Sequence, residues 1–428
     1  MSKTKIIDDI GLDNETTSIN KVKNSEKKGD KKMDLSKKVS FKLGIVGCGQ
    51  CGARLCEAFN NLGYDAVAIN TATQDLVHIK LPEENKLFTD IGIQGAAKDL
   101  SRGEEAALSY KDKIQELIYS KLDSSQILVV CSSVGGGSGA GSLPTIIDVC
   151  NTTGKPIVLI AVLPKVSEDV RTKSNSLETV AKLASLVRDN KVQSFILVDN
   201  AKIESINSGI GQMDFYKIAN KSIVEPIDIF NQYSMEPSEV KGLDSAEWAT
   251  LLLNAGGIST YGQISIDNYE GDTAIAEALF ASLQQNMLVS GLDYKQAKFV
   301  GYMLIGNSKV WSKISSGAVD YANSMVNDIF GNPEATFKGL YVDNTIADDI
   351  VKVYTFVSGL GIPEERMVGL KKDIEAQQAN LKIKDVDRMN KMKVDIGKDN
   401  TVSDVDRIKA RISAKLSGLG KLANLGKK

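Results

Sequence analysis

Residues 133–142 read Ser-Val-Gly-Gly-Gly-Ser-Gly-Ala-Gly-Ser, so five of ten consecutive positions are glycine. The apolar run 127–131 precedes this stretch, and a helix-like segment, residues 144–148, follows it. A glycine-rich turn between a buried strand and a helix can present backbone N–H groups to an anion, because glycine adopts positive φ angles and has no side chain in the way. The stretch therefore predicts a phosphate-binding site.

Length and composition indicate an ordinary globular protein. The chain has 428 residues, of which 42% are hydrophobic and 25% are charged, with a formal net charge of −2. This length favours two domains over a single core. Because the sequence has no uncharged apolar run of about 18 residues and its N-terminus lacks the apolar core of a secretory signal, we expect a cytoplasmic protein without a transmembrane segment.

The cysteine and histidine content limits which metal sites and catalytic groups the sequence can form. Five cysteines include the Cys-x-x-Cys pair Cys48 and Cys51, which lies inside a second glycine-rich turn. Zinc or redox chemistry remains open there, but small buried thiols in a reducing compartment are the favoured interpretation. The single histidine, His78, argues against histidine-based catalytic triads and histidine-rich metal sites.

The segments outside the terminal regions alternate between strand-like and helix-like patterns. Residues 1–40 are polar and charged, and we expect them to form a flexible arm. Residues 41–205 contain apolar runs typical of buried strands at 41–47, 66–70, 127–131, 156–163 and 194–198. Helix-like segments separate these runs, as in a parallel sheet wound on both faces. The predicted fold class is therefore α/β, with a doubly wound parallel sheet in the N-terminal domain.

The second half is predicted to differ in organisation. Residues 206–236 have the apolar spacing of a connecting helix, interrupted by Pro226. Residues 237–370 are expected to form a smaller α+β domain, with a helix-like run at 274–288 and β-like runs at 299–305, 337–342 and 350–357. Residues 371–428 are predicted to be a charged tail with a basic terminal helix.

The glycine-rich turn at residues 47–52 is ambiguous when it is taken alone. Gly47, Gly49 and Gly52 match the G-x-G-x-x-G pattern of dinucleotide-binding enzymes. That pattern also requires an acidic residue at the end of the second strand, where this sequence has Asn70 and Thr71. A nicotinamide-dependent enzyme therefore remains an alternative, but it leaves the stretch 133–142 unexplained. No P-loop motif G-x-x-x-x-G-K-[ST] occurs.

Together, the two turns resemble those of the tubulin/FtsZ superfamily of self-assembling GTPases. Residues 135–141 are similar to its G-G-G-T-G-S/T-G motif, and Gly49-Gln50-Cys51-Gly52 is close to the tubulin form of its first loop. Residues 69–75 are similar to its second loop, although the acidic residue of the cell-division members is here Ala72. The resemblance implies binding of GTP and Mg²⁺, but with Ala72 in that position we assign no metal ligand.

Further segments resemble the family in the same order along the chain. Residues 95–98 are similar to its γ-phosphate loop and residues 164–168 to its ribose loop, while Asn200 follows the sixth strand of the family fold. Tyr216 and Asn220 lie four residues apart, hence on one helix face. The resemblance implies that GTP contacts Gly49, Gln50, Cys51, Asn70, Gly95, Ala96, Gly135, Gly136, Gly137, Ser138, Gly139, Ala140, Glu168, Asn200, Tyr216 and Asn220.

Residues 242–247, Gly-Leu-Asp-Ser-Ala-Glu, resemble the catalytic N-x-D-x-x-D/E loop, with Gly242 in place of its Asn. Asp244 and Glu247 lie three residues apart at a helix start, where both carboxylates can orient a water for attack on a γ-phosphate. The same residues could simply stabilise the helix N-terminus. In the family this loop enters the pocket of the next subunit, which implies catalysis between copies in a head-to-tail filament.

The tail favours one branch of the family. Residues 407–428 contain seven basic residues and no acidic one, with apolar residues on one side. These features suit an acidic partner or a DNA-binding adaptor, although a solvated tail remains open. The tail and the tubulin-like first loop are most similar to TubZ and phage tubulin-like proteins, which implies a cytomotive role in partition or positioning of plasmid or phage DNA. An FtsZ-like division protein and a non-hydrolysing GTP-binding structural protein are the alternatives.

Overall fold

The computed structural model describes residues 6–7, 38–206, 211–286, 288–346 and 349–392. Two units can be distinguished, residues 1–375 and residues 376–428. The expected flexible arm is described only at residues 6–7 and 38–40, and the expected basic terminal helix lies outside the described residues. Among the described residues, no helix combines the length and apolar character needed to cross a membrane.

One mixed sheet runs through the first unit. Its strands are β1 (Ile6–Ile7), β2 (Leu43–Cys48), β3 (Asp65–Asn70), β4 (Lys86–Phe88), β5 (Ile127–Ser133), β6 (Ile157–Leu163), β7 (Ser194–Asp199), β8 (Ile258–Ile266), β9 (Phe299–Gly306), β10 (Ala335–Val342) and β11 (Val351–Leu360). The order is β10-β9-β11-β8-β7-β6-β5-β2-β3-β4, and β1 pairs antiparallel with β8. Strands β2 to β7 are mutually parallel, which confirms the predicted α/β class.

Helices pack against both faces of this sheet within the first unit, and the last of them continues into the second unit. They are α1 (Gly49–Asn61), α2 (Thr73–Val77), α3 (Leu100–Ser109), α4 (Lys111–Lys121), α5 (Gly137–Asn151), α6 (Val170–Arg188), α7 (Asn200–Ile206), α8 (Gln212–Tyr233), α9 (Ser245–Leu253), α10 (Ala274–Gln284), α11 (Ser308–Trp311), α12 (Ser316–Ile329) and α13 (Glu364–Lys391). Short 3₁₀ turns lie at Glu83–Asn85 and Tyr294–Gln296.

The parallel strands are buried on both faces, which explains their continuous apolar sequence. Successive residues of a strand point to opposite faces, so Val46 of β2 packs in one core with α4, α5 and α6. Its neighbour Ile45 packs in the other core with α1 and α8. The two cores hold the carboxyl ends of β2, β3, β5, β6 and β7 at one edge of the sheet.

Several helix boundaries differ from the predicted ones. Helix α5 begins at Gly137, inside the glycine-rich stretch, whereas the sequence suggested a helix from Pro144. Helix α8 continues through Pro226, since the buried Ile223, Val224 and Ile227 around it hold it in place. Helix α10 ends at Gln284. The predicted run to residue 288 is wrong because Asn286 instead bonds to the β8 backbone and Leu288 pairs with Val198.

A glycine allows the closest contact between sheet and helix in the C-terminal part. Gly262 of β8 packs on α10, and a Cβ atom at this position would lie 1.9 Å from the carbonyl oxygen of Ser282. Gly369 of α13 offers the opposite case, because a Cβ atom there would meet nothing within 4 Å.

These two glycines give a matched test of the packing. We expect Gly262→Ala to lower the free energy of unfolding by about 1–3 kcal/mol, because β8 or α10 must shift. Gly369→Ala is expected to raise it by up to about 1 kcal/mol, because alanine favours the helix. Chemical denaturation of both variants measures the difference, and equal stabilities would contradict this packing.

Candidate functional site

A cavity of about 320 Å³ lies at the carboxyl edge of the parallel strands. Such edges are where ligands bind in open α/β sheets, and the volume is that of a small-molecule site. The cavity is lined by Gly49, Gln50, Cys51, Asn70, Gly95, Ala96, Gly135, Gly136, Gly137, Ser138, Gly139, Glu168, Asn200, Tyr216 and Asn220. These are all the residues that the sequence predicts to contact nucleotide except Ala140, which is buried in α5 and does not line the cavity.

Two helices begin at one end of this cavity. Helix α1 starts at Gly49 and helix α5 at Gly137, and neither has an acidic residue in its first turn. Gly49 adopts a φ of +69°, and a Cβ atom there would lie 2.9 Å from the backbone nitrogen of Gly139. The two glycine-rich turns therefore pack directly on each other. The first N–H groups of a helix have no partner within the helix, and together with the helix dipoles they make this end of the cavity suitable for an anion.

A hydrogen-bonded network of side chains adjoins these turns. Asp75 accepts bonds from the amides of Gln50 at 2.9 Å and Asn70 at 3.1 Å. The Ser138 hydroxyl donates to Asn70 Oδ1 at 3.0 Å and accepts from the Thr71 backbone N–H at 3.2 Å. Asp75 also lines the cavity, although the sequence analysis did not assign it a role. Asp75 lies in the first turn of α2, and the position of this helix brings its carboxylate within hydrogen-bond distance of Gln50.

The loop around Gly95 contacts the loop after β3 through a backbone hydrogen bond and the start of α6 through two ion pairs. Gly95 donates to the carbonyl oxygen of Thr71 at 2.8 Å. Lys98 forms a close ion pair with Asp169, the N-cap residue of α6, and Arg171 pairs with Asp99 at 3.0 Å. Burial raises the pKa of Asp169, but hydrogen bonds from Lys98 and Thr172 outweigh this effect and hold the pKa at about 2.

The other end of the cavity carries polar and aromatic side chains. Asn200 is the first residue of α7, and Glu168 comes from the loop after β6. Tyr216 and Asn220 come from one face of α8. The Tyr216 ring has the Arg54 guanidinium 4.8 Å from its centroid and the Lys165 ammonium 5.6 Å from it. Such distances allow cation–π attraction.

Arg54 is a second cavity residue that the sequence analysis missed. It lies in α1, two residues after Gly52. Only the packing of α1 beside α8 brings it to Tyr216, so no local motif signals its position.

Asp244 and Glu247 do not line the cavity of their own chain. They form a capping box at the start of α9: Asp244 Oδ1 accepts from the backbone N–H groups of Ala246 and Glu247, both at 2.9 Å. Glu247 Oε2 in turn accepts from the Asp244 N–H at 3.0 Å. Within one chain, both carboxylates therefore stabilise the helix N-terminus.

The segment before α9 is held firmly against the sheet. The Leu243 N–H donates to the Tyr341 hydroxyl at 2.9 Å, and Leu340 of β10 donates to the Lys241 carbonyl at 2.7 Å. After the capping box, Trp248 is fully buried and stacks on Phe230 with ring centroids 5.1 Å apart. The two carboxylates are thus presented on a rigid support.

The cysteines give no sign of a metal site. All five are free, and four are buried, whereas Cys51 is half-buried in the cavity wall. Burial raises the pKa of the Cys51 thiol to about 12, although Arg54 opposes the shift. In the part of the chain that the structure describes, no group of three or more His, Cys, Asp or Glu residues could hold a metal ion.

Comparison with known proteins agrees with the geometry of the site. The family description "Tubulin/FtsZ family, GTPase domain" matches residues 42–208. The chain is 25% identical over 324 residues to the tubulin-like protein CetZ of Pyrococcus abyssi, which covers 74% of this chain and 85% of the relative. It is 24% identical over 357 residues to the tubulin-like protein TubZ of Bacillus cereus, covering 76% of this chain and 81% of the relative.

A solved structure shares the fold. The GTPγS-form protofilament of TubZ from Bacillus thuringiensis serovar israelensis superposes with a TM-score of 0.72 at 18% identity, covering 81% of this chain and 94% of that one. The matched family domain contains both glycine-rich turns and the loops at the carboxyl edge of the sheet. Residues 42–208 therefore match the GTPase domain of the tubulin/FtsZ family, and the chain as a whole is similar to tubulin-like proteins of that family.

Proposed function

We propose that this protein binds GTP in the cavity, hydrolyses it with carboxylates from a second copy of the chain, and assembles into head-to-tail filaments. The supporting observation is the division of the site. The predicted nucleotide contacts, apart from Ala140, converge on one cavity, while Asp244 and Glu247 stay outside it on a rigid support. A single chain therefore has a nucleotide pocket without its proposed hydrolytic groups.

Each end of the cavity suits one part of GTP. The phosphates would lie against the N-termini of α1 and α5, where backbone N–H groups and helix dipoles favour negative charge. The base would stack on Tyr216, with Asn200 and Asn220 reading its edge and Glu168 holding the ribose. Arg54 would lie beside the stacked base.

The network around Asp75 fits a magnesium ion. Mg²⁺ prefers oxygen ligands and is usually held by one or two carboxylates together with substrate phosphates and water. Asp75 offers a carboxylate, and Gln50 and Asn70 offer amide oxygens, at the phosphate end of the cavity. Asp75 would thus supply the charge that Ala72 lacks. Bound there, Mg²⁺ would neutralise charge on the phosphates.

Exposed apolar side chains support assembly in one direction. Three lie in segments around the cavity: Val77, Ile93 and Val166, with exposed fractions of 70%, 51% and 58%. Two more, Met235 and Val240, precede α9 and are 47% and 56% exposed. Stacking the α9 end of one copy on the cavity of the next would bury these groups and bring Asp244 and Glu247 to the phosphates.

The proposed cellular role is cytomotive: the filament would position plasmid or phage DNA. It rests on the similarity to TubZ and on the seven basic residues at 407–428, which suit an adaptor or DNA. We infer that this tail is dispensable for assembly.

Sedimentation with GTP, with GDP and with a slowly hydrolysed GTP analogue tests the function. We expect polymer with GTP and longer-lived polymer with the analogue. A chain that ends at residue 406 should still polymerise but lose co-sedimentation with DNA or adaptor. Absence of any nucleotide-dependent polymer would overturn the proposal, and unchanged DNA or adaptor binding by the shortened chain would remove the tail from it.

Substitution of Glu247 separates capping from hydrolysis. Glutamine still accepts the hydrogen bond from the Asp244 N–H, so Glu247→Gln should keep the stability of α9. It removes the carboxylate, so we expect GTP turnover per polymerised subunit to fall by about 100-fold or more while GTP binding persists. Phosphate release and filament lifetime measure the effect.

The matched control is Glu277→Gln, the same change in the first turn of α10. Glu277 accepts a hydrogen bond from the Thr273 hydroxyl at 2.8 Å, so like Glu247 it bonds to the residue that precedes its helix. Turnover should be unchanged in this control. If Glu247→Gln hydrolyses GTP as fast as the control, Glu247 is not the hydrolytic group.

Asp75→Asn tests the proposed magnesium ligand. We expect the Mg²⁺ concentration for half-maximal turnover to rise by about 10-fold or more, because the variant lacks the carboxylate at the phosphate end. Asp65→Asn makes the same change at the exposed start of β3 and should leave the Mg²⁺ dependence alone. An identical Mg²⁺ dependence in the two variants would exclude Asp75 as a ligand.

A further inference from the structure

Helix α13 carries two charged residues on one face, Arg366 and Asp373. They are seven residues apart, which is close to two helical turns, so their side chains project in similar directions. The apolar residues Leu370 and Ile374 lie on the same side and are buried. This face packs within the first unit, which ends at residue 375.

Arg366 forms a bidentate ion pair with Asp199. The distances are 2.6 Å from Nε to Oδ2 and 3.1 Å from Nη2 to Oδ1. The side chain of Asp199 is 5% exposed and that of Arg366 is 18% exposed. Forked pairs of this kind fix orientation as well as distance.

Asp199 connects this pair to the proposed base-reading turn. It is the last residue of β7, and Asn200 follows it directly. Its Oδ1 also accepts a hydrogen bond from the Ala201 N–H at 3.1 Å, so the carboxylate spans Arg366 and the first turn of α7. A shift of the Arg366 guanidinium would therefore move the backbone that carries Asn200.

Asp373 acts on the proposed ribose loop through Lys173. The Lys173 ammonium lies 3.7 Å from Asp373 Oδ2 and donates to the carbonyl oxygen of Val166 at 2.7 Å. Lys173 is almost fully buried, its side chain being 2% exposed. Val166 comes two residues before Glu168, so the buried ammonium connects α13 to the loop that carries the proposed ribose ligand.

The phosphate end is organised by different contacts. The turns there pack backbone to backbone at Gly49 and Gly139, and side-chain bonds among Gln50, Asn70 and Asp75 complete them. Two parts of the cavity thus depend on different regions of the chain.

We propose that Arg366 and Asp373 are positioning residues for the nucleoside half of the site. Arg366 sets the place of Asn200 against the base, and Asp373 sets the place of Glu168 against the ribose. The proposal rests on the proposed binding of GTP in the cavity, and it makes α13 part of nucleotide recognition although it lies outside the GTPase domain matched at residues 42–208.

Loss of positioning has a distinct signature. Hydrogen-bond discrimination requires donor and acceptor to be placed within about 0.5 Å, whereas the charge attraction at the phosphates tolerates such shifts. Removal of Arg366 should therefore weaken base selectivity more than overall GTP binding. A purely structural role would weaken the binding of every nucleotide by the same factor.

The test compares affinities for GTP, ITP and 2′-deoxy-GTP by competition against a GTP labelled on its γ-phosphate, at protein concentrations too low for assembly. ITP lacks the 2-amino group of the base, and 2′-deoxy-GTP lacks one ribose hydroxyl. For Arg366→Met we expect the preference for GTP over ITP to fall by about tenfold, the size of one hydrogen bond, and the preference over 2′-deoxy-GTP to persist. For Asp373→Asn we expect the preference for GTP over 2′-deoxy-GTP to fall by about tenfold and the preference over ITP to persist.

Arg388→Met is the matched control. Arg388 lies on the same helix and pairs at 3.0 Å with Asp385, three residues away. Both preferences should equal those of the unmodified chain. Arg366→Lys keeps the charge but loses the two-point contact with Asp199. We expect its preference for GTP over ITP to lie between those of the unmodified chain and Arg366→Met. This variant also tests the proposal if Arg366→Met does not fold.

Two results are distinguishable. If the unmodified chain does not bind GTP, the proposed function itself fails. If it binds GTP and ITP equally, or if Arg366→Met and Arg366→Lys lower GTP and ITP affinity by equal factors or not at all, the positioning role of Arg366 is overturned. Equal losses for GTP and 2′-deoxy-GTP in Asp373→Asn would overturn that of Asp373.

Discussion

The close contact between two glycine-rich turns is the constraint on which the site depends. Strands β2 and β5 are parallel neighbours, so the turns that follow them must meet at the same edge of the sheet. They meet at backbone distance, where a Cβ atom on Gly49 would lie 2.9 Å from the Gly139 nitrogen. Side chains would separate the two helix N-termini, whereas glycine lets both lie beside the proposed phosphate position.

The remainder of the cavity is built from regions far apart in the sequence. Helix α8 supplies Tyr216 and Asn220, and the Arg366–Asp199 pair joins residues separated by 167 positions. The proposed hydrolytic carboxylates lie outside the cavity in a capping box at the start of α9. The proposed phosphate binding, base recognition and hydrolysis therefore involve three regions that different contacts hold in place.

Much of this arrangement could be predicted from the sequence, because buried parallel strands read as apolar runs and each is followed by its own motif. The start of α5 at Gly137 was not predicted, since glycine has a low helix propensity that conceals a helix beginning inside a glycine-rich turn. Asp75 lies in the loop 69–75 that the sequence points to, but its contact with Gln50 and Asn70 depends on the turn into α2, and Arg54 reaches the cavity only through the packing of α1. The ion pair of Arg366 with Asp199 could not be predicted either, because no local pattern marks an ion pair between distant segments.

The central claim is that one active site needs two copies of the chain, and mixing two defective variants tests it most directly. One variant, Glu247→Gln, keeps its cavity but lacks the carboxylate. The other, Tyr216→Ala with Asn220→Ala, keeps the α9 loop but has a damaged cavity. The account predicts that neither hydrolyses GTP well alone and that their mixture does. A mixture no more active than the sum of its separate components would contradict it.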